Sequence, residues 1–283
     1  MNLSFGDRIA ENVLPIGKRP LIMGVLNVTP DSFSDGGKYN DVDKAVERAL
    51  LMAEHGADII DIGGESTRPG AKKVDEDEEI ERTIPILEKL KGKLFVPISI
   101  DTRKSKVARV ACEAGAAVIN NISALNEDEE IALVAKEYET HLILMHMLGT
   151  PETMQANIHY NNLIDDISSF LIDAADKAVS YGIPKEKIII DPGIGFGKTV
   201  ENNFSILKNI PAFKKLGYPV LIGASRKSFI GKILDSPVED RLEGSLAAAI
   251  YAAIHSADIV RVHDVLSTVR ALKIIEKIDG AEK

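Results

Sequence analysis

The sequence predicts a parallel α/β protein, a single (β/α)8 TIM barrel with a short N-terminal extension. Three observations lead there. Short apolar runs bounded by turn residues recur about eight times, and each has the length of a buried strand. Stretches of helical periodicity separate the runs, as the crossovers between parallel strands require. The length of 283 residues is near that of one such barrel. The same βαβ units can also build an open doubly wound sheet. The unit count, and the lack of a GxGxxG after the first run, favour the barrel.

In chain order, the apolar runs predict strands over 21–26, 58–62, 95–100, 117–122, 142–145, 188–190, 220–222 and 259–262. Helical spacing fills 43–55, 76–90, 104–114, 129–137, 164–181, 202–209, 242–256 and 265–278. Gly56, Gly92, Gly115 and Gly182 stand just after predicted helices, where a left-handed cap favours glycine. Asp101-Thr102-Arg103-Lys104-Ser105 offers an N-cap before the third helix. Residues 1–20 read as the extension, a hairpin closing the bottom of the barrel, and 21–283 as the barrel.

Composition narrows the class. Apolar residues make up 45% of the chain, enough for a large core, and no apolar stretch approaches the roughly 20 residues that cross a bilayer. The N-terminus is polar and short of basic residues, so neither a signal nor a transit peptide is expected, and the expected compartment is the cytoplasm. Cys112 has no partner for an intrachain disulfide, which fits a reducing compartment. Its place in a predicted helix points to a buried structural thiol. The net charge of −9 argues against nucleic acid as a partner. An anionic small substrate would need a local cluster of Arg and Lys.

Such a cluster is predicted where the strands end. Asn27, Asp61, Asp101, Asn120, His146, Asp191, Lys227, Arg261 and His263 each stand at the end of a predicted strand or just after it, and two polar loops, 27–37 and 63–70, follow the first two. In a barrel the carboxyl ends of all strands face one mouth, where active sites lie. Singly, each residue has a plainer reading. Asp101 suits a helix cap, Asn120 a turn, His146 a hydrogen-bonded structural role, and Asp61 a support for loop amides. Arg68, Lys227 and Arg261 suit solvated charges. Their shared position outweighs those readings. An ionised carboxylate accepts two parallel N–H bonds, so Asp101 and Asp191 with Asn120 suit a flat amino-pyrimidine edge. Lys227 suits a ring carbonyl. Arg261 and His263, two apart, both face an anion such as a diphosphate. Asn27 offers a neutral oxygen beside it, suited to Mg²⁺.

These residues resemble the dihydropteroate synthases, the folate-pathway enzymes that sulfonamide drugs inhibit. The carriers are Gly24–Gly37, which contains Asn27-Val28-Thr29-Pro30-Asp31-Ser32-Phe33-Ser34-Asp35, and Gly63-Gly64-Glu65-Ser66-Thr67-Arg68-Pro69-Gly70-Ala71. Supporting matches are Ser99–Thr102, Asn120–Ile122, Leu144–Met147, Asp191–Lys198, Ser225–Ser228 and Arg261–Val265. The match runs from about Leu21 into the last helix, and no motif position departs from the family's pattern.

The resemblance implies a transferase that joins 6-hydroxymethyl-7,8-dihydropterin diphosphate to p-aminobenzoate by an SN1-like substitution. It implies that Asp101, Asn120, Asp191 and Lys227 hold the pterin, with Ile122 and Met145 on its faces. Thr67, Arg261 and His263 would hold the diphosphate, and Asn27 would reach it through Mg²⁺. Phe33, Pro69, Phe196, Lys227 and Ser228 would form the p-aminobenzoate site, while Asp35 and Arg68 organise the closed loops. It also implies a homodimer through outer helices near the chain's end. Three rivals stand beside this reading: a pterin-binding barrel that passes methyl groups to a corrinoid protein, a Schiff-base aldolase using Lys227, and a non-catalytic pterin-binding protein.

Overall fold

The computed structural model describes residues 14–29, 38–68, 70–71 and 73–281. Along them run β1 (Leu21–Asn27), α1 (Lys38–Glu54), β2 (Ile59–Gly63), α2 (Glu76–Leu90), β3 (Ile98–Asp101), α3 (Ser105–Glu113) and β4 (Val118–Asn121). The second half continues with α4 (Glu130–Glu137), β5 (His141–Met145), α5 (Leu163–Ser180), β6 (Ile188–Asp191), α6 (Val200–Lys208) and α7 (Ile210–Lys214). It ends with β7 (Leu221–Ile222), α8 (Ser228–Leu234), α9 (Leu242–Ile254), β8 (Ile259–Val262) and α10 (Val265–Asp279). The eight strands pair in the order β6-β5-β4-β3-β2-β1-β8-β7. The remaining seam, between β6 and β7, carries the parallel bridge Ile190–Val220. The predicted (β/α)8 barrel is thus nearly closed, with β1 inside its ladder between β2 and β8.

A period of two along each strand explains both core and mouth. Ile59, Val118, Ile143, Ile189 and Ile259 meet Leu21, Met23 and Leu221 in one buried cluster inside the barrel. Two residues further on, the same inward side carries Asp61, Asn120, Met145, Asp191 and Arg261. One apolar layer therefore seals the barrel, and the next layer builds the mouth. The residues between, such as Ile60, Ile119, Leu142, Leu144, Ile188 and Val260, face out into the larger core beneath the helices. The registers are staggered, as tilted barrel strands require: Asp101 is opposite Asn120 and Met145 opposite Asp191, but Asn120 is opposite Ile143 and Arg261 opposite Met23. Leu14 joins the inner apolar cluster and Ile16 packs against it, so the segment before β1 plugs the bottom. Residues 14–20 form a turn, not a strand pair; residues 1–13 of the expected hairpin lie outside the described residues.

Three local expectations are corrected. The third strand begins at Ile98, not at 95, because Pro97 has no N–H for the ladder, and Phe95 is 68% exposed. The third helix starts on Lys104 without a side-chain cap, and the Asp101 carboxylate bonds elsewhere. Helices α7 and α8 went unforeseen because five and seven residues are too few to show a period. The four capping glycines do adopt positive φ, from 74° at Gly92 to 108° at Gly115.

Candidate active site

The barrel brings the strand-end residues together as anticipated, and Arg261 lies at their centre. Its Nε donates to Asp61 Oδ2 at 2.6 Å and its Nη2 to Asp101 Oδ2 at 2.8 Å. Asn120 Nδ2 donates to the same Asp61 oxygen at 3.1 Å. Asp61 is fully buried and supports two side chains of the mouth, not the loop amides expected of it. The mouth is therefore an ion-paired floor joining β2, β3, β4 and β8. Sequence reasoning missed this hub, although an acidic residue two places after Ile59 on a buried strand was its signal.

The opposite wall is built by the β6–α6 loop. Asp191 Oδ1 accepts from Gly193 N at 2.7 Å, and the loop turns through positive φ at Gly193, Gly195 and Gly197. A Cβ on Gly193 would run into the His146 carbonyl oxygen, so glycine lets the loop touch the end of β5. Lys227, just before α8, lays its Nζ 4.2 Å from the centre of the Phe196 ring and donates to the Ile194 carbonyl. Ile122, Met145, Met147 and Met154 form a buried apolar cluster with Phe196 packed against it. Two of these five, Met147 and Met154, were not anticipated. The group suits the face of a flat ring. Cys112 is buried, with its thiol pushed up to about 12, as a structural residue.

Burial sets the charges. It raises the Asp101 carboxyl to about 7, with Asp61 and Glu79 pushing the same way and Arg261 opposing. Asp191 is raised by burial too, against Lys227 and its bond from Gly193. Lys227 is lowered to about 7 by burial, with Asp191 holding its charge and Arg261 opposing it. His263 falls to about 4 through burial and the nearby Arg261 and Arg226, so at neutral pH it is an uncharged imidazole beside Ser225 Oγ, 3.1 Å away. His146 has the structural role foreseen for it, with Nδ1 2.8 Å from Lys198 Nζ.

The root of the second loop is clamped from below. Glu65 takes Arg103 at 2.9 Å and Lys104 at 2.7 Å, and Lys104 is shared with the buried Glu79. Arg82 donates to the Gly64 carbonyl at 2.7 Å. Beyond this root, Thr67 is half-buried and Arg68 exposed. Asn27 ends β1 opposite Gly63, half-buried, and Ser228 is exposed at the start of α8. Phe33, Asp35 and Pro69 lie outside the described residues.

Comparison with known proteins places the chain among relatives of one family. Residues 23–263 match the family described as "Pterin binding enzyme". A dihydropteroate synthase of Synechocystis sp. is 48% identical, over 95% of this chain and 94% of its own. A Clostridium difficile dihydropteroate synthase, solved in the presence of pteroic acid, is 44% identical with a TM-score of 0.88, covering 94% of this chain and 99% of that one. The Xanthomonas albilineans enzyme, solved with 4-aminobenzoic acid, is 41% identical with a TM-score of 0.91, covering 97% and 98%.

Proposed function

The chain belongs to the dihydropteroate synthase family of pterin-binding enzymes, and on that premise we propose how its mouth performs the family's reaction. That reaction joins 6-hydroxymethyl-7,8-dihydropterin diphosphate to p-aminobenzoate, giving 7,8-dihydropteroate and diphosphate in folate biosynthesis. The observation that carries the assignment of roles is the convergence of Asp101, Asn120, Asp191, Lys227 and Arg261 on one mouth. In our reading Asp101, Asp191 and Asn120 take the N–H-rich edge of the pterin, and Lys227 its ring carbonyl. Ile122 and Met145 cover its faces. Thr67, Arg261 and His263 receive the diphosphate.

The C–O bond to the diphosphate breaks first, and the methylene left behind is electron-poor. Asp101 and Asp191 stabilise that positive charge inside a dry site, where fixed charges act strongly. The p-aminobenzoate nitrogen then attacks the methylene from beside Phe196, Ser228 and Lys227, with Phe33 and Pro69 completing its site, and the proton it sheds leaves with the diphosphate. Asp35 and Arg68 organise the loops that exclude water, the competing nucleophile.

Mg²⁺ belongs to the same proposal. Asn27 stands at the end of β1, next to the strand that carries Arg261. One neutral amide oxygen is a donor set that suits an ion sharing phosphate oxygens and keeping its waters. When bound, Mg²⁺ would offset the charge that develops on the leaving diphosphate.

We further propose a homodimer through α9 and α10. Tyr251 and Ile254 on α9 and Ile274 and Ile278 on α10 expose apolar surface at helical spacing, and Ile278 is 63% exposed. Among the described residues no helix is long and apolar enough to cross a membrane. We place the protein in the cytoplasm on the evidence of its single, buried cysteine.

The test is diphosphate release with both substrates and Mg²⁺, with the product identified by mass. Dihydropteroate formed in step with diphosphate supports the proposal. Tight pterin binding without product would move the reading to the methyl-transferring or non-catalytic alternatives.

A further inference from the structure

Two buried basic residues near the mouth, Lys198 and His146, have no part in that scheme. Lys198 is 3% exposed. Its Nζ lies 2.8 Å from His146 Nδ1, 2.9 Å from the Phe196 carbonyl oxygen and 3.3 Å from that of His146. Three acceptors thus surround the Nζ, whose pKa burial holds well below the ordinary lysine value, with Asp191 opposing. Burial and the adjacent lysine hold His146 far below its ordinary value, so the ring is neutral and free to accept through Nδ1. The ring is fixed in turn by Phe170, edge-on at 4.8 Å, and by Tyr160 at 6.0 Å.

The wider pattern concerns the loop 194–197. Each of its four successive carbonyls accepts from a side chain. Lys227 takes Ile194, Gln155 takes Gly195 at 3.0 Å, Lys198 takes Phe196, and Tyr160 takes Gly197 at 2.8 Å. Asn203 accepts from Gly195 N at 2.7 Å. These side chains come from different parts of the chain, and they pin a glycine-rich segment that would otherwise sample many conformations. Phe196 is held at the centre of this segment, and Lys198 is the fastening that also grips β5.

We infer that Lys198 is a positioning residue for the amine substrate: it fastens the β6–α6 loop to the end of β5 and so presets the Phe196 wall. Tyr160 is the second, weaker fastening of the same wall. The inference rests on Phe196 lining the p-aminobenzoate site. Of the pterin-holding groups, Asp101 and Asn120 stand on other strands and keep their own partners, while Asp191 and Lys227 touch only the root of this loop, so loosening the wall acts more on the amine than on the pterin.

The test is steady-state kinetics of Lys198→Met and Tyr160→Phe with each substrate varied in turn, alongside thermal melting. For Lys198→Met we expect KM for p-aminobenzoate to rise about tenfold and KM for the pterin diphosphate by less than about threefold. Tyr160→Phe should show the same split, smaller in size. It also keeps the test decisive if Lys198→Met fails to fold. A lowered melting temperature with both KM values unchanged, or an equal rise in both, would reduce Lys198 to a structural role and overturn the inference. A wild-type protein that releases no diphosphate would remove the p-aminobenzoate reading itself, and this inference with it.

Discussion

Replacing Asp61 with Asn removes one charge from the floor of the mouth and no hydrogen bond. Asp61 Oδ2 accepts from both Arg261 and Asn120, while its buried Oδ1 has no partner among the described residues. A carboxamide with its oxygen in the Oδ2 place and its nitrogen in the Oδ1 place therefore keeps both bonds. What it loses is the pull of a full negative charge on the guanidinium. At a charge separation of about 4 Å and an effective dielectric of about 20, that pull is about 4 kcal/mol gross. The variant also escapes the cost of burying a carboxylate, so the net loss in holding Arg261 is about 1–2 kcal/mol.

The consequence falls on Asp101, the other partner of Arg261. A guanidinium held less by position 61 pairs more tightly with Asp101 and covers the carboxylate that the pterin needs. The second-order rate constant, kcat/KM for the pterin diphosphate, should fall about tenfold, equivalent to about 1.4 kcal/mol. The sign of a second effect is also fixed. Asp61 is among the groups that raise Asp101, and Arg261 is among those that lower it. The variant weakens the first influence and strengthens the second, so the acid limb of kcat/KM moves to lower pH. Diphosphate release followed from about pH 5 to about pH 9 reads both effects. An unchanged kcat/KM, or an acid limb that stays in place or moves upward, would refute the hub role of Asp61.

Three further outcomes follow from the same geometry. In the wild type, kcat/KM for the pterin diphosphate should trace a narrow bell near pH 7, because burial draws Asp101 up and Lys227 down to about 7; a flat profile over that range would contradict it. The same upward shift means that Asp101 holds its proton more tightly folded than unfolded, so its contribution to stability falls as pH rises from the ordinary carboxylate range towards 7. Lys227→Ala should lower turnover and pterin affinity together, since the ammonium faces both Asp191 and the Phe196 wall; isothermal titration and steady-state rates check this, and unchanged values would take Lys227 out of the site. Gly193→Ala should cost about 2 kcal/mol or more in urea unfolding, because it meets both a positive φ of 69° and the His146 carbonyl; a loss within about 0.5 kcal/mol would contradict the close approach.

The barrel and the membership of its mouth were legible because both follow from a period of two. A buried strand that alternates Ile59 with Asp61, or Ile189 with Asp191, announces both its inward side and its functional end. The partners of each group were not legible. Asp61 and Arg261 are 200 residues apart, and only closure of the ladder through β1 brings them together. Asp101 looked equally suited to cap the next helix, and burial beside Arg261 decided the matter. Lys198 stood within a recognised motif without a role, because its partners, the end of β5 and a carbonyl two residues back, leave no mark on the local pattern.

The charge arrangement explains why one arginine sits between two acids. In the mouth Asp61 and Asp101 pair with Arg261, and Asp191 lies near Lys227 and Lys198, so each buried acid has a basic neighbour. In the proposed reaction the diphosphate competes for Arg261, and whatever it draws from the guanidinium is withdrawn from Asp101. The carboxylate is then released to the pterin at the moment its methylene becomes cationic. Asp61 makes that exchange affordable, since it retains the Nε end of Arg261 while the other end changes partner. A lysine in place of Arg261 would have no fixed fork to divide between a permanent and a transient anion. The arginine thus links leaving-group capture to stabilisation of the cation.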